Sequence, residues 1–540
     1  MQPAQQRAYD KTRDFSRVGF QSACYAPFTS MYLDPRGDVR ACCQNVEHVL
    51  GNVARARLTD IWWGSSADAL RDALRDYDLG LGCRFCQWQV DDGNYRGVFA
   101  KDFDWLPLAS PAPTWPQRLE FAVSNTCNLE CVMCDGELSS MIRSRREHLP
   151  PLPKVYDTAF FSDLESFLPH LSEARFLGGE PFLAAESFRI WGLMADADLH
   201  TPCRVTTNGT QWNPRIEGVL ERFPTAIAVS IDGATRRTFE SIRVRADHAK
   251  VMDNFARFRA YTLERGTDLE ISFCLMTRNW HEFGDLLLFG DAWDARVNLN
   301  TVTHRRYGLY QLPVDEFARV LDGLERRDKE MSSCLGLNRQ VWDGELDRLR
   351  NWLATASAAG PRGPDRYFRR DEGQGTVGPQ AAVSVMGAPP EPSVAPVPVI
   401  LRQRDKTADA ALSPPEAAVR VAADLTDPEL STLRCDPNDL VLAVDGAGGF
   451  VGLPAESCVG RPFAEVVEQL TKKWGRPVPV LEDRLPGGGV FRRVVFDKPG
   501  GDFRYLQVLS LPEWSGDELT GSVTLAACST VSPFWAPTPT

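Results

Sequence analysis

Residues 124–134, SNTCNLECVMC, carry three cysteines on one short loop with the spacing Cys-x3-Cys-x2-Cys. The preceding segment, RLEFAV at 118–123, predicts a β-strand that ends where this loop begins. In a reducing compartment, clustered cysteines usually bind metal rather than form disulfides. Three thiolates can hold three irons of a cubane cluster and leave the fourth iron without a protein ligand. We therefore expect Cys127, Cys131 and Cys134 to hold a [4Fe–4S] cluster with one open position.

A structural zinc ion is the alternative for these three cysteines. Zinc usually takes four ligands in paired spacings such as Cys-x2-Cys with a second pair. The loop at 127–134 has no second pair. The motifs that follow it along the chain also favour the iron–sulfur interpretation.

Short apolar segments alternate with amphipathic ones through residues 115–310. The pattern predicts strands at 118–123, 174–178, 203–207, 226–231, 269–276 and 296–301, and helices near 157–170, 185–196, 213–222, 247–264 and 281–292. Strands that alternate with helices indicate βαβ units and a parallel sheet. Six such units predict an α/β fold with a partial (β/α)6 barrel.

Each predicted strand is followed by unusual polar residues at or just after its carboxyl end. After the cysteine loop these groups are Gly178-Gly179-Glu180-Pro181, Thr207-Asn208-Gly209, Ser230-Ile231-Asp232-Gly233, Asn279 and His304. Parallel α/β barrels build their active sites from these loops. The sequence therefore predicts one catalytic domain at 115–310.

The motifs SNTCNLECVMC, LGGEP, TTNGT and VSIDG, in this order, resemble the radical SAM superfamily, most closely its branch with SPASM or Twitch auxiliary-cluster domains. The resemblance implies a cluster whose open iron binds S-adenosylmethionine and cleaves it reductively to a 5′-deoxyadenosyl radical, which abstracts hydrogen from a substrate. It also implies a set of S-adenosylmethionine contacts: Met133, Gly178, Gly179, Glu180, Asn208, Ser230 and Arg243. A glutamate suits this site because a carboxylate and an ammonium form a charge-assisted hydrogen bond. For Arg243, a solvated helix arginine is an equally good interpretation.

A second cysteine group lies at residues 17–100, before the predicted barrel. Its spacing, Cys24-x12-Gly37-x4-Cys42 followed by Cys83-x2-Cys86, resembles a Twitch domain, the shortened form of SPASM. That resemblance implies a second, auxiliary [4Fe–4S] cluster on these four cysteines. Cys43 could replace Cys42, although the spacing to Gly37 favours Cys42, and a zinc ribbon is the alternative for the whole group. Such domains normally follow the barrel, whereas here the module precedes it.

The remaining cysteines and the C-terminal part carry weaker signals. Six scattered cysteines are expected to be small buried hydrophobes: Cys203, Cys274, Cys334, Cys435, Cys458 and Cys528. Residues 311–356 predict a helical extension, and the Pro/Ala/Gly-rich stretch 357–430 predicts a linker. Residues 431–530 resemble a PAS-like domain of α+β class, with a plain scaffold domain as the alternative.

The formal net charge of −12 argues against nucleic acid or an anionic membrane as the main partner. The chain lacks an apolar run near the roughly 20 residues of a membrane helix, so we expect a cytoplasmic protein. The resemblance implies oxidative or cross-linking modification of a peptide or protein, with flavodoxin or ferredoxin as electron donor. A dehydrogenase or epimerase of a small metabolite, and a non-catalytic iron–sulfur redox sensor that signals through the PAS-like region, are the alternatives.

Overall fold

The structure of the chain is a computed structural model. It describes residues 1–112, 114–302, 306–331, 334–359 and 383–384, and within 431–530 the segments 431–435, 441–445, 455–459, 461–462, 465–466, 469, 476–484, 490–497, 503–515 and 518–530. The chain divides into two compact units. Unit 1 comprises Met1–Asp291 and Ala295–Pro389, and unit 2 comprises Ala292–Asp294 and Pro390–Thr540.

Unit 1 is built on one ten-stranded sheet. Its strands in chain order are β1 (Ser30–Leu33), β2 (Asp38–Arg40), β3 (Gly51–Asn52), β4 (Arg118–Phe121), β5 (Glu173–Phe176), β6 (Cys203–Thr207), β7 (Thr225–Ser230), β8 (Leu269–Leu275), β9 (Arg296–Thr301) and β10 (Val383–Ser384). Their order across the sheet is β10-β9-β8-β7-β6-β5-β4-β1-β2-β3. Neighbouring strands from β4 to β9 are all parallel. The predicted partial (β/α)6 barrel is therefore confirmed.

Helices precede, connect and follow these strands. They are α1 (Pro3–Asp10), α2 (Ala26–Thr29), α3 (Leu58–Trp62), α4 (Ser65–Arg75), α5 (Arg84–Asp91), α6 (Ser140–Arg145), α7 (Thr158–Leu164), α8 (Ala185–Asp196), α9 (Pro214–Arg222), α10 (Arg236–Ile242), α11 (His248–Arg265), α12 (Phe283–Ala292), α13 (Val314–Met331) and α14 (Arg339–Ala359). The short helices α6 and α10 were absent from the sequence prediction because each is only about two turns long. None of the helices among the described residues is long and apolar enough to cross a bilayer.

The two faces of the parallel strands differ in polarity. On the outer face, apolar side chains pack against helices, as when Phe176 of β5 approaches Trp191 of α8 with ring centroids 4.2 Å apart. On the inner face, ion pairs cross from strand to strand, among them Arg118 of β4 with Glu173 of β5 at 2.8 Å. Alternation along a strand separates the two sets because successive side chains point to opposite faces.

The N-terminal cysteine module is joined to the barrel through the sheet. Strand β1 pairs parallel with β4 in the register Ser30↔Arg118 to Leu33↔Phe121. Strands β2 and β3 continue the sheet in antiparallel pairs. The module that precedes the barrel in sequence is therefore docked on the edge of its first strand.

Unit 2 contains a six-stranded antiparallel sheet in the order β12-β11-β16-β15-β14-β13. Its elements are β11 (Ser431–Cys435), β12 (Val441–Asp445), α15 (Ala455–Cys458), β13 (Arg476–Arg484), β14 (Val490–Asp497), β15 (Phe503–Ser515) and β16 (Glu518–Thr530). The sequence predicts strands in this region at 440–445 (LVLAVD) and 448–454 (GGFVGLP), so β11 precedes the first predicted strand. The stretch 448–454 lies outside the described residues. The PAS-like interpretation stays a prediction, as does the linker at 357–430, most of which also lies outside them.

Most of the scattered cysteines are buried, as the sequence predicts. Cys203, Cys274, Cys435 and Cys458 are buried. Cys334 is exposed, so the expectation is wrong for this residue. It lies in the segment that connects α13 to α14, and such connecting segments usually run over the protein surface.

Candidate functional site

The cysteine loop is held in place by the start of α6. The backbone N–H of Cys127 donates to Ser140 Oγ at 3.2 Å, and Ser139 Oγ donates to the carbonyl of Leu129 at 2.7 Å. Ser139 also caps the helix, because its Oγ accepts a hydrogen bond from the backbone N–H of Ile142. Ser139 and Ser140, at the start of α6, therefore stabilise the first turn of the helix and hold the cysteine loop in place.

The three predicted cluster cysteines converge in one buried, mainly apolar cluster. Its other members include Leu129, Met133, Ile242, Cys274, Met276 and Tyr307. Burial raises the pKa of Cys127 to about 12 and that of Cys134 well above its ordinary value, and proximity to the Cys131 thiol raises both further. Without metal these thiols are protonated, so a cluster that binds there must displace their protons.

The donor set fits an iron–sulfur cluster. Nδ2 of Asn208 lies 3.9 Å from the sulfur of Cys127, and Nη1 of Arg243 lies 3.9 Å from the sulfur of Cys131. Such N–H groups stabilise ligated sulfur and tune the reduction potential of a cluster. Among the described residues, no three His, Cys, Asp or Glu side chains converge as ligands of a single metal ion.

The predicted GGEP loop packs directly on the cysteine loop. The backbone N–H of Gly179 donates to the carbonyl of Ser124 at 3.1 Å, and that of Glu180 donates to the carbonyl of Thr126 at 2.7 Å. A Cβ at position 179 would lie 2.4 Å from the Thr126 carbonyl oxygen. Gly178 has a φ of +105°, a conformation that side chains disfavour. Both glycines are therefore required for the close approach of the two loops.

Glu180 lies beneath these loops with none of its surface exposed. Its carboxylate accepts hydrogen bonds from Thr207 Oγ1 at 2.8 Å, from the Asn208 backbone N–H at 2.7 Å and from the Phe182 backbone N–H at 3.1 Å. Burial raises the pKa of Glu180 to about 7, although these donors lower it. Glu180 thus links the GGEP loop to the end of β6. A ligand ammonium would have to share an oxygen atom that protein donors already use.

The other predicted S-adenosylmethionine contacts lie along the same edge of the barrel. Asn208 is 6% exposed, and its Nδ2 donates to Asn128 Oδ1 at 2.9 Å. Met133 belongs to the cysteine cluster itself. Ser230 is the last residue of β7 and is buried. His304 lies outside the described residues.

Arg243 is buried beside the cysteine loop, so it is not a solvated helix arginine. Its Nε donates to Asp232 Oδ2 at 2.7 Å, while its Nη1 faces the sulfur of Cys131. Asp232 is fully buried and also accepts from the backbone N–H of Cys274 at 2.7 Å. Sequence reasoning quoted Asp232 within VSIDG but gave it no role. Asp232 could have been found by asking which carboxylate pairs with Arg243, because a buried arginine needs a carboxylate partner.

We expect Arg243→Gln to lower the reduction potential of a cluster on the cysteine triad. The guanidinium charge and its N–H group favour the reduced, more negative cluster, and glutamine removes the charge. Redox titration followed by electron paramagnetic resonance (EPR) measures the shift. Arg245→Gln is the matched control, because Arg245 is exposed and pairs with Glu130 at 3.5 Å. Equal midpoint reduction potentials in Arg243→Gln and Arg245→Gln would contradict the expectation.

The first cysteine group forms a separate site in the N-terminal module. The side chains of Cys24, Cys42, Cys83 and Cys86 line one small cavity together with apolar residues such as Leu70, Phe85 and Phe103. Burial raises the pKa of both Cys42 and Cys86 to about 12. Sulfur atoms here also receive hydrogen bonds, from the Ala26 backbone N–H to Cys24 at 3.3 Å and from Asn45 Nδ2 to Cys83 at 3.5 Å. Four thiols with such donors fit an iron–sulfur cluster.

Cys43 does not line this cavity. Burial raises the pKa of its thiol, and the nearby carboxylates of Glu120 and Asp102 raise it further. Because Glu120 belongs to β4, Cys43 faces the barrel while its neighbour Cys42 faces the other cysteines. The choice between these two adjacent residues therefore follows from opposite side-chain directions.

Cys42→Ser and Cys43→Ser should differ in iron content. We expect Cys42→Ser to lose the auxiliary cluster, about four irons per chain, and Cys43→Ser to keep it. Iron and sulfide analysis of anaerobically reconstituted protein makes the comparison, and each variant is the control for the other. Iron loss in Cys43→Ser alone would reverse the assignment.

Comparison with known proteins agrees with this architecture. Residues 24–87 match the model of SPASM, an iron–sulfur cluster-binding domain. The chain therefore combines a segment similar to a SPASM iron–sulfur cluster-binding domain with a partial parallel barrel that carries a three-cysteine loop after its first strand.

Among curated proteins, the chain is similar to GTP 3′,8-cyclase 1 of Mycobacterium tuberculosis, with 27% identity over 226 residues. The match covers 39% of this chain and 58% of the cyclase, so the chain spans little more than half the length of this relative. Among solved structures, it is similar to Streptococcus suis SuiB bound to S-adenosylmethionine, with a TM-score of 0.30, 14% identity and coverage of 42% and 47% of the two chains. The chain is also similar to anSMEcpe with bound AdoMet, with a TM-score of 0.29 and 17% identity. That match covers 40% of this chain and 58% of anSMEcpe.

Proposed function

We propose that this enzyme cleaves S-adenosylmethionine reductively at Cys127, Cys131 and Cys134 and uses the resulting radical to oxidise or cross-link a peptide or protein. The observation that carries the proposal is the packing of the GGEP loop on the cysteine loop, 2.7 Å from Glu180 N to Thr126 O, at the carboxyl edge of the barrel. Bound there, the cluster and S-adenosylmethionine supply one-electron cleavage to a 5′-deoxyadenosyl radical that abstracts hydrogen from substrate.

The residues of the chain provide position and shielding in this reaction. Three thiolates leave one iron corner open. Gly178 and Gly179 let the GGEP backbone approach the cysteine loop, and Arg243 places a buried positive charge beside the sulfur of Cys131, which would ligate the cluster. The surrounding apolar residues exclude water from the site. Met133, Asn208 and Ser230 are proposed to contact S-adenosylmethionine from the same edge.

The auxiliary site is proposed to hold the second cluster on Cys24, Cys42, Cys83 and Cys86. Flavodoxin or ferredoxin is the proposed electron donor, and a cytoplasmic location without nucleic-acid or membrane partners remains a prediction from composition. A peptide substrate is proposed from the resemblance to SPASM-containing enzymes.

A small-molecule substrate is the second candidate. It is supported by the similarity to a GTP 3′,8-cyclase, whose name states a nucleotide substrate. The inner face of the barrel also carries charged and amide side chains such as Arg204, Glu270 and Asn298, which suit a polar molecule. The third possibility, a redox sensor, would leave the GGEP loop without a ligand.

Formation of 5′-deoxyadenosine by reduced, fully reconstituted enzyme tests the proposal. Production of 5′-deoxyadenosine without substrate supports an enzyme, and its absence after full cluster assembly supports the redox sensor. Addition of candidate peptides or nucleotides then separates the two substrate classes, because the true substrate should raise the rate of 5′-deoxyadenosine release.

A further inference from the structure

The β1–β2 hairpin connects the two cysteine sites. Its strands, Ser30–Leu33 and Asp38–Arg40, are joined by the turn Asp34-Pro35-Arg36-Gly37. Gly37 occupies that turn with a φ of +83°. Cys24 lies before the hairpin and Cys42 lies just after it. A metal cluster on these two cysteines would therefore fix both ends of the same hairpin.

The turn of this hairpin contacts the loop that follows Cys134. Nε of Arg36 donates to Glu137 Oε2 at 2.5 Å, and Nη2 of Arg36 donates to Glu137 Oε1 at 2.6 Å. Paired hydrogen bonds between guanidinium and carboxylate add geometric specificity to their energy. The side chain of Glu137 is 7% exposed and also accepts from Arg143 Nη1 at 2.9 Å. Glu137 stands three residues after the last cysteine of the triad.

The turn is itself rigidly held. Oδ1 of Asp34 accepts hydrogen bonds from the backbone N–H groups of Arg36 at 2.8 Å and Asp38 at 3.0 Å. Arg40 forms a buried ion pair with the same carboxylate. From the barrel side, the hydroxyl of Tyr156 donates to the Asp34 carbonyl at 2.5 Å. These contacts hold the turn that carries Arg36 in a fixed relation to both strands of the hairpin.

We propose that Arg36 is a positioning residue that couples the auxiliary metal site to the S-adenosylmethionine site. Through Glu137 it fixes the loop after Cys134, so that the triad adopts its binding geometry only when the hairpin is held at Cys24 and Cys42. The inference rests on the proposed cysteine assignments and needs no particular substrate.

The test compares Arg36→Ala with Arg57→Ala in the full chain with both clusters assembled. Arg57 also joins the module to the barrel, through Asp163 at 2.9 Å, but its partner lies on α7 and not on the cysteine loop. We expect Arg36→Ala to weaken S-adenosylmethionine binding by on the order of tenfold, since the pair is part-buried. It should also alter the change in the EPR spectrum that S-adenosylmethionine causes. Arg36→Lys should keep only part of the S-adenosylmethionine affinity and of the EPR change. Arg57→Ala should leave the affinity and the EPR change as they are in the parent protein.

A double-mutant cycle with Cys24→Ser measures the coupling itself. If the hairpin transmits the effect, Arg36→Ala should weaken binding little further once Cys24 is replaced. Additive losses, or equal behaviour of Arg36→Ala and Arg57→Ala, would overturn the inference. If the parent protein fails to bind S-adenosylmethionine, the proposed function fails instead. Thermal unfolding of each variant identifies a general loss of stability, and if Cys24→Ser does not fold, the two arginine variants decide alone.

Discussion

Replacing Cys127, Cys131 and Cys134 together with alanine should remove about four irons per chain and abolish formation of 5′-deoxyadenosine. The physical reason is that each thiolate holds one iron of the cubane, and without them the open corner for S-adenosylmethionine does not exist. Iron and sulfide analysis with EPR spectroscopy measures the first effect, and chromatography of reaction products measures the second.

The control for this variant is Cys203→Ala, which removes a buried thiol on β6 that belongs to neither cysteine group. Its iron content should match the parent protein. The triple variant should also keep the auxiliary cluster, about four irons, because the other four cysteines lie in a separate cavity. An unchanged iron spectrum in the triple variant would contradict the whole assignment.

Gly179→Ala should reduce S-adenosylmethionine binding by at least about tenfold and destabilise the fold by about 1–3 kcal/mol. Its Cβ would lie 2.4 Å from the Thr126 carbonyl oxygen and 2.8 Å from the carbonyl carbon of Asn125. Both are backbone atoms, so the overlap is relieved only by separating the GGEP loop from the cysteine loop. Binding titration and thermal unfolding measure the two effects.

Gly192→Ala is the matched control, because Gly192 lies inside α8 and an added Cβ there meets no atom within 4 Å. Alanine is the better helix former, so this variant should gain about 0.5–1 kcal/mol of stability and bind S-adenosylmethionine normally. If Gly179→Ala binds as well as Gly192→Ala does, the contact between the two loops does not form the site.

Sequence alone could predict the parts of the molecule that depend on local pattern. The parallel strands of the barrel were predicted within one or two residues at most ends, because an apolar run bounded by turn residues is a local signal. Cysteine spacing likewise predicted that each of the two cysteine groups gathers at one place. The first strand of unit 2 escaped because STLRC at 431–435 is short and polar.

The side chains that surround the sites could not be predicted in the same way. Glu180 was expected to face a ligand, yet three protein donors surround its carboxylate in the interior. Arg243 was left between two interpretations until its partner Asp232 was located at 2.7 Å. In both cases the deciding atoms come from a different loop, and no spacing in the sequence records that contact.

The sequence by itself determined the donor set, since one loop of eight residues carries three thiols with the spacing that a [4Fe–4S] cluster would use. Only the tertiary structure decided that β1 docks on β4, that Cys42 and not Cys43 faces the auxiliary cavity, and that Arg36 reaches Glu137 across 101 residues of chain. Local patterns follow from backbone geometry over a few residues, whereas these contacts depend on how distant segments pack.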